Sequence, residues 1–286
     1  MTITATPTLD RTTSDTRTRG GILPTIILLI GAIYCLVPVV WVVVASSKSP
    51  GELFSTFTFA PGTGLLQNIS DLFAYGDGQY ALWALNSLLY AGVGAVLSTV
   101  VSAMAGFALA KYDFPGRNLI FYSILGGVLI PGITLAIPQY LLLSGLGMAG
   151  SYWSVLLPSI ISPFGIYLCR VYAQAAVPAE TIEAARIDGA NEWQVFRRIT
   201  VPMLAPVLGV VLVTLMINVL KIFDLIVVIA PGSSRDDANV LAVQLYDSAF
   251  GDRDLGVASA IAVLLFLLVM PVMVTNVRRL RKEARR

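Results

Sequence analysis

The stretch EAARIDGANEWQVFRRITVPMLAP, residues 183–206, is the most informative part of the 286-residue sequence. It is polar and lies between long apolar segments, so its charged side chains must lie in water or against another protein. Gly189 is typical of a helix end, and Asn191 with Gln194 has the spacing of a capping box that starts a second helix. Residues 178–206, here called the island, are therefore predicted to form two short rigid helices joined at a glycine, an arrangement suited to docking.

The composition indicates a membrane protein. Hydrophobic residues make up 56% of the sequence and charged residues only 13%, whereas soluble domains carry about 25% charged residues. Runs of about 20 apolar residues are long enough to cross a bilayer as helices. Prolines within or near such runs predict kinked or broken helices, which neighbouring helices can accommodate. The sequence contains six runs of this kind, at residues 22–45, 82–110, 119–143, 153–175, 203–230 and 257–277.

The basic residues predict the orientation of these spans. The N-terminal tail, the turn after the second run, the region of the island and the C-terminal tail together hold 15 of the 19 Lys and Arg residues. Because basic residues concentrate on the cytoplasmic side of a membrane, both termini and the island are predicted to be cytoplasmic. Residues 1–21 are predicted to form a disordered tail, and residues 278–286 a basic tail that contacts anionic lipid.

The order of residues in the island resembles the EAA loop of ABC-importer permeases. In that family the loop is the coupling helix that inserts into a groove on a cytoplasmic ATPase. The resemblance covers about residues 20–282, and the segments 86–117, 129–170 and 221–260 are similar to carbohydrate-importer permeases. The positions that match the loop, and to which the resemblance gives the ATPase-coupling role, are Glu183, Ala184, Ala185, Asp188, Gly189, Ala190, Phe196, Ile199 and Pro202.

The resemblance implies a type I ABC-importer permease fold, which is an all-α polytopic membrane protein with six transmembrane helices in residues 22–277. It implies the short permease subunit, of the maltose or α-glucoside type, in an ATP-driven, binding-protein-dependent carbohydrate importer. Such a subunit forms half of a heterodimeric pore in the bacterial inner membrane. The expected partners are a second permease, two copies of a cytoplasmic ABC ATPase, an extracytoplasmic solute-binding protein and membrane lipids, and no nucleic acid. Residues 46–80 and 231–255, the latter with a polar run at 232–237, either contact the solute-binding protein or are plain connecting loops.

The residues that the sequence lacks exclude several kinds of chemistry. There is no His in the sequence, so catalysis by His and metal sites built on His are excluded. The phosphate-binding motif GxxxxGK[ST] is also absent from it, and the chain therefore does not hydrolyse ATP in the manner of that motif. We predict a transport subunit that is not an enzyme, with no catalytic residue, metal site or cofactor, while partner ATPase subunits use ATP and Mg²⁺.

Lys221 and Asp224 are the charged residues deep in the predicted fifth span, and charged residues inside a membrane are candidates for function. Their spacing places them on one helix face, where they can pair, and Asn218 lies on the same stripe. Two interpretations stay open: a polar wall of the translocation path that binds hydroxyl-rich cargo, or an ion pair at the seam with the partner permease. Further polar positions near the third and fourth spans are Gln139, Tyr140, Ser144 and Ser162.

Two other functions fit parts of the same sequence. An ABC-importer permease for an osmolyte or another small polar solute has the same spans and the same island. An ion-coupled secondary transporter would need Lys221 and Asp224 as its coupling site.

Overall fold

The computed structural model describes residues 21–49, 51–74, 78–230 and 238–283, and all regular structure in them is helical. The predicted tail at residues 1–21, apart from Gly21, and the polar run at 232–237 lie outside the described residues. The chain divides into two compact units, residues 1–41 and 42–286.

The helices, numbered in chain order, are α1 (Ile22–Ala45), α2 (Glu52–Ser55), α3 (Leu65–Ala74), α4 (Tyr80–Leu89), α5 (Ala95–Lys111), α6 (Arg117–Leu129), α7 (Gly132–Gly145), α8 (Tyr152–Ile160), α9 (Pro163–Ala176), α10 (Ala179–Ile187), α11 (Glu192–Val195), α12 (Val201–Leu220), α13 (Asp224–Ile229), α14 (Leu241–Tyr246) and α15 (Leu255–Glu283).

Short π-helical turns join several of these helices into longer ones. The turns Tyr90–Gly94 and Phe196–Thr200 connect α4 to α5 and α11 to α12, and a third, Asp247–Gly251, follows α14. Five helices in the described residues are then long and apolar enough to cross a membrane. The count rises to six when α6 and α7, which meet at a bend of 107°, are taken as one span. The predicted all-α polytopic fold is therefore confirmed, with five or six spans in the described residues.

The predicted third span, residues 119–143, is a broken helix in the structure, because α6 ends at Leu129 and α7 begins at Gly132. Pro131 explains the break, since it has no N–H to donate and forces the preceding residue away from helical geometry. Ile130 accordingly has an extended backbone, with φ −79° and ψ 121°. The proline pattern correctly predicted a broken helix here.

The predicted fifth span, residues 203–230, is interrupted too, and the prediction of one continuous helix there is wrong. The helix α12 ends at Leu220, Lys221 to Phe223 are not helical, and α13 begins at Asp224. No proline or glycine lies at this break, so the sequence carries none of the usual signals for it. The apolar run continues across the break, so the hydrophobic pattern gives no sign that the helix ends there.

The fourth span consists of α8 and α9, which are separated by Ile161 and Ser162. Ser162 caps α9, because its Oγ accepts a hydrogen bond of 3.0 Å from the backbone N–H of Gly165. Pro163 takes the first position of α9, where its missing N–H costs nothing. The span from Tyr152 to Ala176 otherwise agrees with the predicted run at residues 153–175.

Helices α5 and α9 pack closely along facing rows of small residues. A Cβ on Gly106 would lie 2.6 Å from the Cβ of Cys169, and one on Gly165 would lie 2.4 Å from the Oγ of Ser102. Small residues at intervals of four allow membrane helices to approach each other in this way. The two rows are Ser98, Ser102 and Gly106 on α5, and Gly165, Cys169 and Ala173 on α9.

Candidate functional site: the island and the cavity beside the α12–α13 break

The first helix of the island, α10, ends in a Schellman motif. Gly189 has a φ of +82°, a left-handed conformation that glycine adopts without strain. Its N–H donates to the carbonyl of Arg186 at 3.0 Å, and the N–H of Ala190 donates to the carbonyl of Ala185 at 2.9 Å. This is the hydrogen-bond pair that defines the motif, so the predicted helix end at Gly189 is confirmed.

The second helix of the island starts with the predicted capping box. The Oδ1 of Asn191 accepts from the backbone N–H of Gln194, and the Oε1 of Gln194 accepts from the N–H of Asn191, both at 2.9 Å. The π-helical turn Phe196–Thr200 then leads directly into α12. The two predicted helices are therefore present, but the second is continuous with a membrane-spanning helix, Glu192–Leu220, which the sequence did not predict.

One face of the island is buried in the core at this end of the spans. Ile182, Val195 and Phe196 are buried together with Phe107 and Leu204, which lie on α5 and α12. The centroids of the Phe196 and Phe107 rings are 6.1 Å apart. Phe196, to which the resemblance gives a coupling role, therefore fixes the island to the membrane helices. It leaves little area for a partner, since it is 8% exposed.

The other face of the island is exposed and combines small, acidic and apolar side chains. Of the predicted coupling residues, Glu183, Ala184, Asp188, Gly189 and Pro202 are exposed, while Ala185, Ala190 and Ile199 are half-buried. Two apolar side chains that the resemblance did not single out are also exposed here: Ile187 at 86% and Trp193 at 59%. Exposed apolar groups at the end of a rigid helix pair are typical of a protein contact.

A polar cluster joins the two island helices to the end of α5; we call it the clasp (Tyr112, Arg186 and Glu192). Glu192 accepts a hydrogen bond from the Nε of Arg186 at 2.9 Å and another from the hydroxyl of Tyr112. The Arg186 guanidinium lies 5.8 Å from the centre of the Tyr112 ring. Burial, and then the hydrogen bond to Glu192, raise the pKa of Tyr112, so its hydroxyl stays a donor at higher pH than that of an ordinary tyrosine.

The second candidate site is a cavity of about 510 Å³ beside the break between α12 and α13, here called the break cavity. Lys221 and Asp224 line it, but the prediction that they pair on one helix face is wrong, because the helix ends between them. Both side chains are exposed, and no ion pair within 4.0 Å joins them in the described part of the chain. Asn218 is exposed on α12 and does not line the cavity.

The break cavity lies about 30 Å along α12 from the island, because the 20 residues of α12 rise by about 1.5 Å each. Among the further polar positions of the third and fourth spans, Gln139 lines the cavity, whereas Tyr140, Ser144 and Ser162 do not.

The described part of residues 46–80 is organised around a buried lysine that the sequence did not single out. Lys48 is 1% exposed, and its Nζ donates to the carbonyl of Phe57 at 2.7 Å and to the Oγ1 of Thr56 at 3.0 Å. Asn68 ties α3 to the same segment, because its Nδ2 donates to the carbonyls of Ser46 and Lys48 at 2.8 and 2.9 Å. These bonds hold the loop in one shape, while Phe54 and Phe57 are exposed.

Comparison with known proteins agrees with this architecture. Residues 98–282 match the family described as the binding-protein-dependent transport system inner membrane component. A solved bacterial ABC transporter chain, involved in the import of the acidic polysaccharide alginate, superposes with a TM-score of 0.75 at 21% identity. The superposition covers 90% of this chain and 95% of that chain, which shows that the two share a fold.

Two curated relatives are similar to this chain in amino-acid sequence. The arabinooligosaccharides transport system permease protein AraQ of Halalkalibacterium halodurans is 36% identical over 62% of this chain and 64% of the relative. The osmoprotective compounds uptake permease protein GgtC of Synechocystis is 48% identical over 40% of this chain and 42% of the relative. In both comparisons the match spans less than two thirds of the relative's length.

Proposed function

Because this chain belongs to the family of binding-protein-dependent transport system inner membrane components, we propose that it is one permease subunit of an ATP-driven carbohydrate importer. The observation that carries this proposal is the island: a rigid helix pair, continuous with a membrane span, with an exposed face of small, acidic and apolar side chains. The AraQ relative is named for the transport of arabinooligosaccharides, which supports a carbohydrate as the cargo.

The island is the coupling element in this proposal. Glu183, Ala184, Asp188 and Gly189 form the surface that enters a groove on the ATPase, because small side chains allow close approach and the two carboxylates offer charge to a basic partner. The buried Phe196 and the clasp then pass any displacement of α10 to α5 and α12. Ala185, Ala190 and Pro202 shape the base of this surface and the foot of α12.

The partners follow from the same role. The chain pairs with a second permease, binds two copies of a cytoplasmic ABC ATPase that use ATP and Mg²⁺, and receives its solute from an extracytoplasmic binding protein. Both termini and the island are cytoplasmic in this arrangement, as the distribution of basic residues indicates. The chain itself carries no catalytic group and holds no cofactor, and the tails at residues 1–21 and 278–286 flank the transport domain at 22–277.

A second candidate cargo is an osmoprotective solute. The specific observation in its favour is the 48% identity to the osmoprotective compounds uptake permease, although the match covers only 40% of this chain. Ion-coupled secondary transport is disfavoured, because Lys221 and Asp224 do not form the helical pair on which that interpretation relied.

The substitution Glu183→Lys tests the coupling role. It reverses a charge on the exposed face of α10, and we expect solute uptake to fall about tenfold or more, as for a residue central to an interface. The chain should still insert, because Glu183 has no part in the core. Uptake and solute-stimulated ATP hydrolysis are measured on the importer reconstituted with its partner subunits.

The matched control is Asp113→Lys. Asp113 lies next to Tyr112, at the same end of the spans, and its side chain is 93% exposed. Its ion pair with Arg117 lies at the surface, where such pairs contribute about 0–1 kcal/mol, so the same charge reversal occurs outside the proposed contact surface. Uptake by this variant should equal that of the wild type. Normal transport by Glu183→Lys, or equal loss in both variants, would contradict the coupling role.

A further inference from the structure

We propose that the break cavity is a binding subsite for an uncharged, hydroxyl-rich segment of the transported solute, so that this chain itself contributes to selecting the cargo. The proposal rests on the proposed function, since it requires a solute to pass through this permease. It identifies the class of ligand and the side chains that recognise it.

The position of the cavity is the first argument. It is bounded by residues at or near three interruptions of the spans: Gly132 after the α6–α7 bend, Ser159 before the α8–α9 break, and Lys221 to Asp224 between α12 and α13. Non-helical backbone at membrane depth is tolerated where it is buried in protein or lines a water-filled cavity. Discontinuous helices that meet at one point are a recurrent way to build a solute site inside a transporter.

The chemistry of the lining is the second argument. Lys221 can donate up to three hydrogen bonds, Asp224 can only accept, and Gln139 can do both. Ser159 already donates to the carbonyl of Val155 at 2.7 Å, which leaves its oxygen as an acceptor. Because a hydroxyl group both donates and accepts, a polyol can use every one of these groups.

The charge balance of the lining decides between neutral and charged solutes. Lys221 and Asp224 are the charged residues among those that line the cavity in the described part of the chain, and their formal charges sum to zero. An acidic solute would gain attraction from Lys221 but meet repulsion from Asp224, and a cationic solute would meet the reverse. The remaining lining, which includes Ile133, Ala136 and Phe223, is apolar and suits the carbon skeleton of a sugar.

The size of the cavity agrees with this ligand class. Its volume of about 510 Å³ lies within the range of about 300–1,000 Å³ that small-molecule sites occupy, and such sites combine an apolar lining with a few placed polar groups.

The test compares charge variants of the complete importer in proteoliposomes, with the same binding protein throughout. The probe is the neutral trisaccharide that the wild-type importer takes up best from a panel of arabino-, gluco- and galacto-trisaccharides. Lys221→Glu and Asp224→Lys each place two like charges in the cavity, and we expect uptake per ATP hydrolysed to fall about tenfold. The double swap Lys221→Asp with Asp224→Lys restores one charge of each sign and should recover most of that loss.

The matched control is Thr134→Ala, an exposed residue on α7 next to Ile133 and outside the cavity, which should transport as the wild type does. A second readout is ligand-observed NMR on the detergent-purified importer without its binding protein. The neutral probe should bind better than the same sugar carrying one terminal carboxylate, and Asp224→Lys should reverse that order.

Three outcomes would overturn the proposal. Single variants that transport like the wild type would show that the cavity does not contact the solute. Single variants that no longer co-purify with the second permease would assign Lys221 and Asp224 to the subunit seam instead. A wild-type importer that takes up none of the sugars with ATP would reject the carbohydrate function, and this subsite with it.

Discussion

At the scale of the residue, Gly189 fixes the geometry of the exposed face of the island. Its left-handed backbone, with φ +82°, reverses the chain between α10 and α11. No atom lies within 4 Å of the position that a Cβ would occupy, so within this chain the glycine is needed for its conformation and not for space. A side chain with a branched β-carbon would therefore strain the backbone without any collision.

We expect Gly189→Val to reduce coupling more than Gly189→Asn does. Holding a residue with a bulky side chain in the left-handed backbone conformation costs about 1–2 kcal/mol of conformational free energy, whereas asparagine adopts this conformation readily. The Val variant should lower solute-stimulated ATP hydrolysis and uptake per inserted importer, because the angle between α10 and α11 changes. Equal activity of the two variants would show that this angle is not important for coupling.

Local signals in the sequence were sufficient to predict the helix caps of the island. A Schellman motif and a capping box involve residues only three to five positions apart. The burial of Phe196 could not be predicted in this way, since it depends on Phe107, which lies far away in the sequence. The same limit applies to Lys221 and Asp224, whose surroundings come from α7, α8 and α13.

At the scale of the element, the pairing of α5 with α9 depends on the absence of side chains. The Cβ that Gly106 lacks would lie 2.6 Å from the Cβ of Cys169 and 2.7 Å from the backbone nitrogen of Arg170. Backbone atoms cannot move aside as a flexible side chain can, so any larger residue must push the helices apart. The small residues of α5 can be read from the sequence, but which helix is their neighbour cannot.

The substitution Gly106→Ala should destabilise the protein by about 1–3 kcal/mol, the usual cost of overpacking a close contact. The control is Gly126→Ala on α6, where no atom lies within 4 Å of the added Cβ and alanine favours the helix by up to about 1 kcal/mol. Thermal unfolding in mild detergent should give a lower Tm for the first variant only. A Tm for Gly106→Ala at or above that of Gly126→Ala would contradict the close packing.

The interruptions of the spans were predictable where proline causes them. Pro131 explains the end of α6, and Pro163 with the Ser162 cap explains the start of α9. The break at Lys221 has no such signal in the local sequence, since the apolar pattern continues through it. The sequence therefore located Lys221 and Asp224 correctly as unusual charges in an apolar run, but placed them in the wrong element.

At the scale of the whole molecule, α12 connects the two candidate sites. The island lies at its first residues and the break cavity at its last, about 30 Å away at 1.5 Å per residue. Because Phe196 and Leu204 pack in one core with α5 and α9, a displacement of the island moves the start of α12 together with the neighbouring spans. In this account the ATPase acts at one end of the helix, and access to the solute changes at the other.

The measurement that tests the central claim most directly is uptake of labelled neutral oligosaccharide into proteoliposomes that contain the complex purified through a tag on this chain. We expect uptake only when both ATP, on the island side, and the solute-binding protein, on the opposite side, are present. Uptake that runs on an ion gradient without ATP, or by this chain alone, would contradict the account.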